Sequence, residues 1–153
     1  MRNFFTFTLL LTIVCCLGCQ GGASLSGLVP CDGVVTLDGN PIEGVTIMFI
    51  PRDSGTQRDA HAMTDVAGKF KMTTLKENDG VMPGTYSVTI TKYEQSGQLV
   101  ATGETDPETG KPIMFETSVN RLSAVYENRT KSPLEITVPK GGTKTATFEL
   151  TSK

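Results

Sequence analysis

Tryptophan is absent from this chain of 153 residues, which carries only three tyrosines and a single histidine, His61. Sugar platforms rely on exposed aromatic rings and acid–base sites rely above all on histidine, so both kinds of site have little raw material here. Charge of one sign is missing too. Fourteen Lys and Arg stand against sixteen Asp and Glu, which excludes the basic face that a nucleic-acid partner requires. Of the four cysteines, Cys15, Cys16 and Cys19 crowd the N-terminus and only Cys31 lies in the body. A disulfide-framed secreted domain needs paired cysteines spread through its fold. That class is excluded as well.

What is present begins with a leader. Residues 1–18 read as a secretion signal: Arg2 supplies the positive start, and Phe4 to Leu17 is an apolar run broken by threonines. The run is shorter than the roughly 20 residues a permanent membrane helix needs. It ends Cys16-Leu17-Gly18-Cys19 and turns polar at Gln20-Gly21-Gly22. This ending resembles the bacterial lipobox, in which small residues precede a cysteine whose thiol accepts a diacylglyceryl group. The resemblance implies lipidation at Cys19, palmitate included, with Cys16 standing where leucine is usual. Residues 19–29 then form a lipidated flexible tether, and residues 30–153 a single domain. Gln20, rather than aspartate, after Cys19 points to the outer membrane or the cell surface.

From Val29 onward, short β-rich runs alternate with Gly, Pro, Asn and Asp. The period of two places Cys31, Gly33, Val35 and Leu37 on one face of a first strand, and Asp38-Gly39 signals a tight turn. Val45, Ile47 and Phe49 should face inward; Met48 and Ile50 make that strand apolar on both sides. His61–Thr64 and Lys69–Thr73 flank Asp65-Val66-Ala67-Gly68 as a second hairpin, with Phe70 and Met72 inward. Tyr86, Val88 and Ile90 alternate with Ser and Thr, and the runs Leu134–Val138 and Thr145–Leu150 alternate cleanly. No stretch carries a helical stripe. The pattern predicts an all-β fold, a seven-stranded antiparallel β-sandwich. Tyr93 to Pro133 breaks the rhythm: it is largely polar, and reads as a long loop before the last two strands, packed over the sandwich through Phe115, Leu122 and Tyr126.

Three motifs in order, VVTLDGNPIEGVTIMFIP, AMTDVAGKFKM and GVMPGTYSVTITK, resemble the carboxypeptidase regulatory-like, transthyretin-like sandwich domains. The version here is similar to the small lipoproteins of planctomycete-type bacteria, an impression that Tyr126, Ser132-Pro133-Leu134 and Phe148-Glu149-Leu150 extend to the C-terminus. The resemblance covers most of Pro30 to Leu150 but spares Tyr93 to Asn120. Cys31 stands where valine is common, and Ser123 and Val125 replace the usual Pro and Lys. It implies a fold and a location more than an activity. Hydroxyisourate hydrolases of transthyretin-like fold use several histidines and a C-terminal Tyr-Arg-Gly-Ser motif; this chain ends Leu150-Thr151-Ser152-Lys153 and lacks both.

The remaining candidate residues read modestly. His61 is a solvated strand residue, and Cys31, in an inward phase, is a small buried hydrophobe. Glu104, Asp106 and Glu108 place three carboxylates at alternate positions, a donor type that calcium favours, yet without the full calcium-loop spacing. A solvated acidic loop is expected, with no metal and no cofactor. The sequence thus predicts a lipoprotein of the cell envelope that is not an enzyme and serves as a structural or protein-interaction module. Its partners would be the membrane, through the N-terminal lipid, and an envelope protein or glycan. A carbohydrate or small-ligand binding module, calcium-dependent in one version, is the runner-up.

Overall fold

The computed structural model describes residues 25–52, 55 and 57–152. Its described residues contain no helix and form ten strands: β1 (Cys31–Leu37), β2 (Asn40–Pro41), β3 (Thr46–Pro51), β4 (Ala60–Met63), β5 (Lys69–Lys71), β6 (Gly84–Thr91), β7 (Tyr93–Thr105), β8 (Pro112–Asn120), β9 (Glu135–Val138) and β10 (Thr143–Leu150). With no helix there, none is long and apolar enough to cross a membrane.

The strands make three sheets. In the first, β10 lies parallel to β1 on one edge, while β5 and β2 share the other edge antiparallel, at Asp32–Val34 and Thr36–Leu37. The second runs β4-β3-β6-β9, antiparallel throughout. The third holds only β7 and β8.

The first two sheets close on one core, and period-two alternation explains which residues enter it. Val35, Val45, Ile47, Phe49, Tyr86, Val88 and Ile90 are fully buried, and Phe148 and Leu150 nearly so. A run of rings links the sheets: Phe49 packs against Tyr86 at 5.6 Å and edge-on to Phe148 at 6.0 Å, and Phe148 stacks on Phe70 at 5.9 Å. Each such pair contributes about 0.5–1.5 kcal/mol beyond its buried area. Gln57 Oε1 is buried without a partner, but two buried hydroxyls are matched: that of Thr64 donates to the Ile42 carbonyl at 2.8 Å and accepts the Val45 N–H at 2.9 Å. The Tyr86 hydroxyl donates to the Met82 carbonyl at 2.7 Å. Asp38 and Gly39 both take positive φ, 49° and 83°, the geometry of the two-residue turn that Asp-Gly favours.

Three expectations are corrected. The seven antiparallel strands become ten, and the β1–β10 pair is parallel, because nearly the whole domain separates the two and no short turn forces them antiparallel. The second hairpin is a crossover. Its turn is real, since Asp65 Oδ1 accepts the N–H groups of Ala67 and Lys69 at 2.9 and 2.8 Å. Yet β4 joins the second sheet and β5 the first, so the turn bridges the layers at their shared edge. Finally, Tyr93 to Asn120 is a β-hairpin, not a loop; its alternation is broken by glycines at two irregularities in β7.

Candidate functional site

Between β6 and β9 the chain leaves the core and builds the β7–β8 hairpin, which pairs with no other strand among the described residues. Cross-strand pairs hold it: Leu99 faces Glu116, Val100 faces Phe115, and Ala101 faces Met114. The register slips twice on the β7 side, between Gln95 and Leu99 and between Ala101 and Thr105. Gly97 (φ 74°) and Gly103 (φ 86°) sit within these slips, supplying the left-handed backbone that a bulge needs. At the tip, Asp106 Oδ1 accepts the N–H groups of Glu108 and Thr109 at 2.8 and 2.9 Å, and Gly110 (φ 66°) closes the turn.

The arm is clamped at its root. The Asn120 side-chain carbonyl accepts the N–H groups of Lys92 and Leu122, both at 3.1 Å, while Glu127 accepts from Asn120 Nδ2 at 3.1 Å and from the Tyr93 hydroxyl. The Tyr93 and Asn120 hydrogen bonds hold the Glu127 carboxyl below the usual carboxylate range. Glu94 pairs with Arg121 at 3.0 Å and Lys92 at 3.3 Å, which lowers its carboxyl in the same way. Above this root both faces carry exposed apolar side chains. Phe115, Val100 and Ile113 occupy one face, with Phe115 49% exposed; Leu99 and Met114 occupy the other at 61% and 48%. An isolated two-stranded hairpin is marginal in water. Apolar surface left open on both of its faces is the least expected feature of the molecule.

The arm also has a defined direction. β7 starts at Tyr93, just past the end of β6 at Thr91, whereas the Val29–Val81 bridge sits just before the start of β6 at Gly84. The N-terminal approach and the arm therefore lie at opposite ends of β6, about 25 Å apart at strand rise.

A second concavity, of about 860 Å³, opens beside β5 and β10 and is bordered by Asp32, His61, Lys69, Lys71, Lys144 and Thr145. Its charges are mixed, and Phe70, its one aromatic, is 3% exposed and already stacked on Phe148. No exposed Phe, Tyr or Trp ring is available there for a sugar face among the described residues.

The candidate residues are dispersed. Cys31 is fully buried, and burial, with Asp32 beside it, pushes its thiol up to about 12. The thiolate that reacts is thus scarce at neutral pH. Expected, then, is that a maleimide leaves Cys31 unlabelled in the native protein at pH 8, as read by peptide mapping, and labels it fully in denaturant; rapid native labelling at Cys31 would contradict the packing. His61 is exposed on β4, and Glu104, Asp106 and Glu108 line the arm's tip. Among the described residues no group of three or more His, Cys, Asp or Glu is placed to hold a metal. Of the anticipated covering residues, Leu122 and Tyr126 are buried, whereas Phe115 stands out on the arm. Cys19 and its leader lie outside the described residues. One carboxylate escaped the sequence reading: Asp79. Although burial opposes its ionisation, the N–H groups of Thr74, Lys76 and Leu75 hold its carboxyl below the usual range and order the loop before β6. Its only sequence signal is an Asn-Asp-Gly run.

No family model and no curated protein matches the chain. Among solved structures, a 9R-lipoxygenase from Cyanothece aligns at 14% identity and a TM-score of 0.34, over 87% of this chain. The chain spans 18% of that lipoxygenase's length. The matched structure is an enzyme, and with it the expectation that this chain is not an enzyme is withdrawn. At that TM-score the likeness assigns neither a fold nor an activity in its place.

Proposed function

We propose that the chain is a lipoprotein of the cell envelope, anchored through Cys19, whose β-domain acts as a protein-interaction module. The observation that carries the reading is the β7–β8 arm, with apolar side chains open on both faces. The leader and its cysteine supply the location, and residues 19–29 supply the tether. The two core sheets, with the motifs quoted above, support the finer assignment to the carboxypeptidase regulatory-like, transthyretin-like sandwiches.

The anchor is tested by the intact mass of the mature N-terminus. A diacylated Cys19 is expected, and an unmodified first residue at another position would overturn it. The interaction role is tested by affinity capture from envelope membranes with the acylated full chain, followed by rebinding of the purified captured protein. The groove beside β5 keeps a carbohydrate or small-ligand role as the second reading. Stabilisation by a glycan or by calcium in a thermal-shift screen, with no protein rebound, would reverse the order.

A further inference from the structure

Residues 93–120 carry five carboxylates, Glu94, Glu104, Asp106, Glu108 and Glu116, against one lysine, Lys111. The arm thus holds a net charge of about −4 while the whole chain is at −2. Its two edges differ. β7 is interrupted by both bulges, which spoil the regular row of backbone groups that an added strand would need. β8 is free of glycine, has its only proline at the first position, and runs through Ile113, Phe115, Thr117 and Val119 on one face. A regular, open edge flanked by apolar side chains and set in a negative field suits an extended segment of complementary character. A second copy of the arm does not fit, since two such arms in register would bring like charges together.

We propose that β8 is a docking edge for an extended, cationic and apolar segment of another envelope protein, which adds as a third strand to the β7–β8 sheet. The proposal deepens the interaction reading above and rests on it. Main-chain hydrogen bonds along β8 hold the segment, alternate apolar side chains cover Phe115, Ile113 and Val119, and its Lys or Arg residues face Glu104, Asp106 and Glu108. The added strand would also remove the marginality of a two-stranded sheet.

An alternating lysine–valine peptide of about eight residues is the probe, compared with its glutamate–valine counterpart and with a lysine–valine peptide N-methylated at every residue, which leaves neither edge able to donate to a ladder. With the full chain at low salt, the cationic peptide should bind at least about tenfold more tightly than either control, and the preference should shrink at about 0.5 M salt. Hydrogen exchange should slow at residues 113–119 and not at 97–103. The exposed double variant E104K/E108K should lose the preference without a change in melting temperature. Equal binding of the cationic and acidic peptides, protection confined to β7, or tight binding of the N-methylated peptide would overturn the proposal. So would self-association of the arm in sedimentation.

Membrane capture separates this proposal from the reading beneath it. A chain whose residues 94–119 are replaced by a short Gly-Ser turn is compared with the intact one. If both rebind the same purified envelope protein, the interaction role survives and the docking edge is wrong. If neither rebinds any protein, both fail. Rebinding by the intact chain alone, together with the peptide preference, supports the edge.

Discussion

Gly33→Ala is expected to destabilise the domain by about 3 kcal/mol, more than most substitutions of a single methyl group. Gly33 lies mid-sheet in β1, opposite Ala146 of β10, immediately after the irregularity that separates the Cys31 and Gly33 pairings. An added Cβ would overlap the Ala146 carbonyl oxygen and stand 2.7 Å from the Phe70 ring and 2.8 Å from the Ala146 Cβ. None of these neighbours is the free end of a flexible chain. The carbonyl is backbone, and Phe70 is held in its stack with Phe148. Relief therefore requires either that β1 and β10 part or that the ring stack opens. Gly141→Ala is the control, because a Cβ there meets nothing within 4 Å and its φ is not positive. Urea unfolding of the two variants should show a much lower midpoint for Gly33→Ala and little change for Gly141→Ala. Equal midpoints would mean that β1 and β10 do not approach as described.

Gly33 also shows what sequence alone can and cannot convey. Alternation placed it on the inward face with Cys31 and Val35, and that is where it lies. Nothing local says why it lacks a side chain, since the reason is a strand more than a hundred residues later in the chain. The same division holds elsewhere. Val45, Ile47 and Phe49, and Tyr86, Val88 and Ile90, were legible because period two is a local property of a strand with one buried face. Strand partnership was not, because pairing over long separations leaves no local trace. That is why the Asp65–Gly68 turn is legible in the sequence while the separate sheets of its two strands are not. The arm was hidden for a different reason. The glycines at its bulges, Gly97 and Gly103, shift the phase of β7 twice, so that its apolar residues lose their period and the stretch reads as polar loop. Packing of Phe115 over the sandwich is the natural expectation for an apolar residue in such a loop, and its exposure follows from a hairpin that alternation does not reveal.

Phe49→Ala should cost about 3–5 kcal/mol and lower the melting temperature by about 10–20 °C, whereas Phe115→Ala should cost less than about 1 kcal/mol. The two residues have the same side chain on neighbouring kinds of strand, so their difference is one of surroundings alone. Phe49 is fully buried and contacts rings from both layers, Tyr86 at 5.6 Å and Phe148 at 6.0 Å. Its removal leaves a cavity where the sheets meet, and the rigid ring pairs around it cannot collapse to fill that space. Phe115 is 49% exposed and faces Val100 across a two-stranded sheet, so water already occupies much of its surroundings. Thermal unfolding of the full chain, followed by near-ultraviolet tyrosine signals, reads the first effect; binding of the cationic strand peptide reads the second. Phe115→Ala should leave the melting transition in place and weaken that peptide by about tenfold, as expected for an aromatic anchor at an interface. A large loss of stability from Phe115→Ala would mean that the ring is buried against the domain, and the arm would then be part of the core. An unchanged melting temperature in Phe49→Ala would mean that the two sheets do not close on a common set of rings. Stability and recognition are thus assigned to different phenylalanines, and each substitution tests one without disturbing the other.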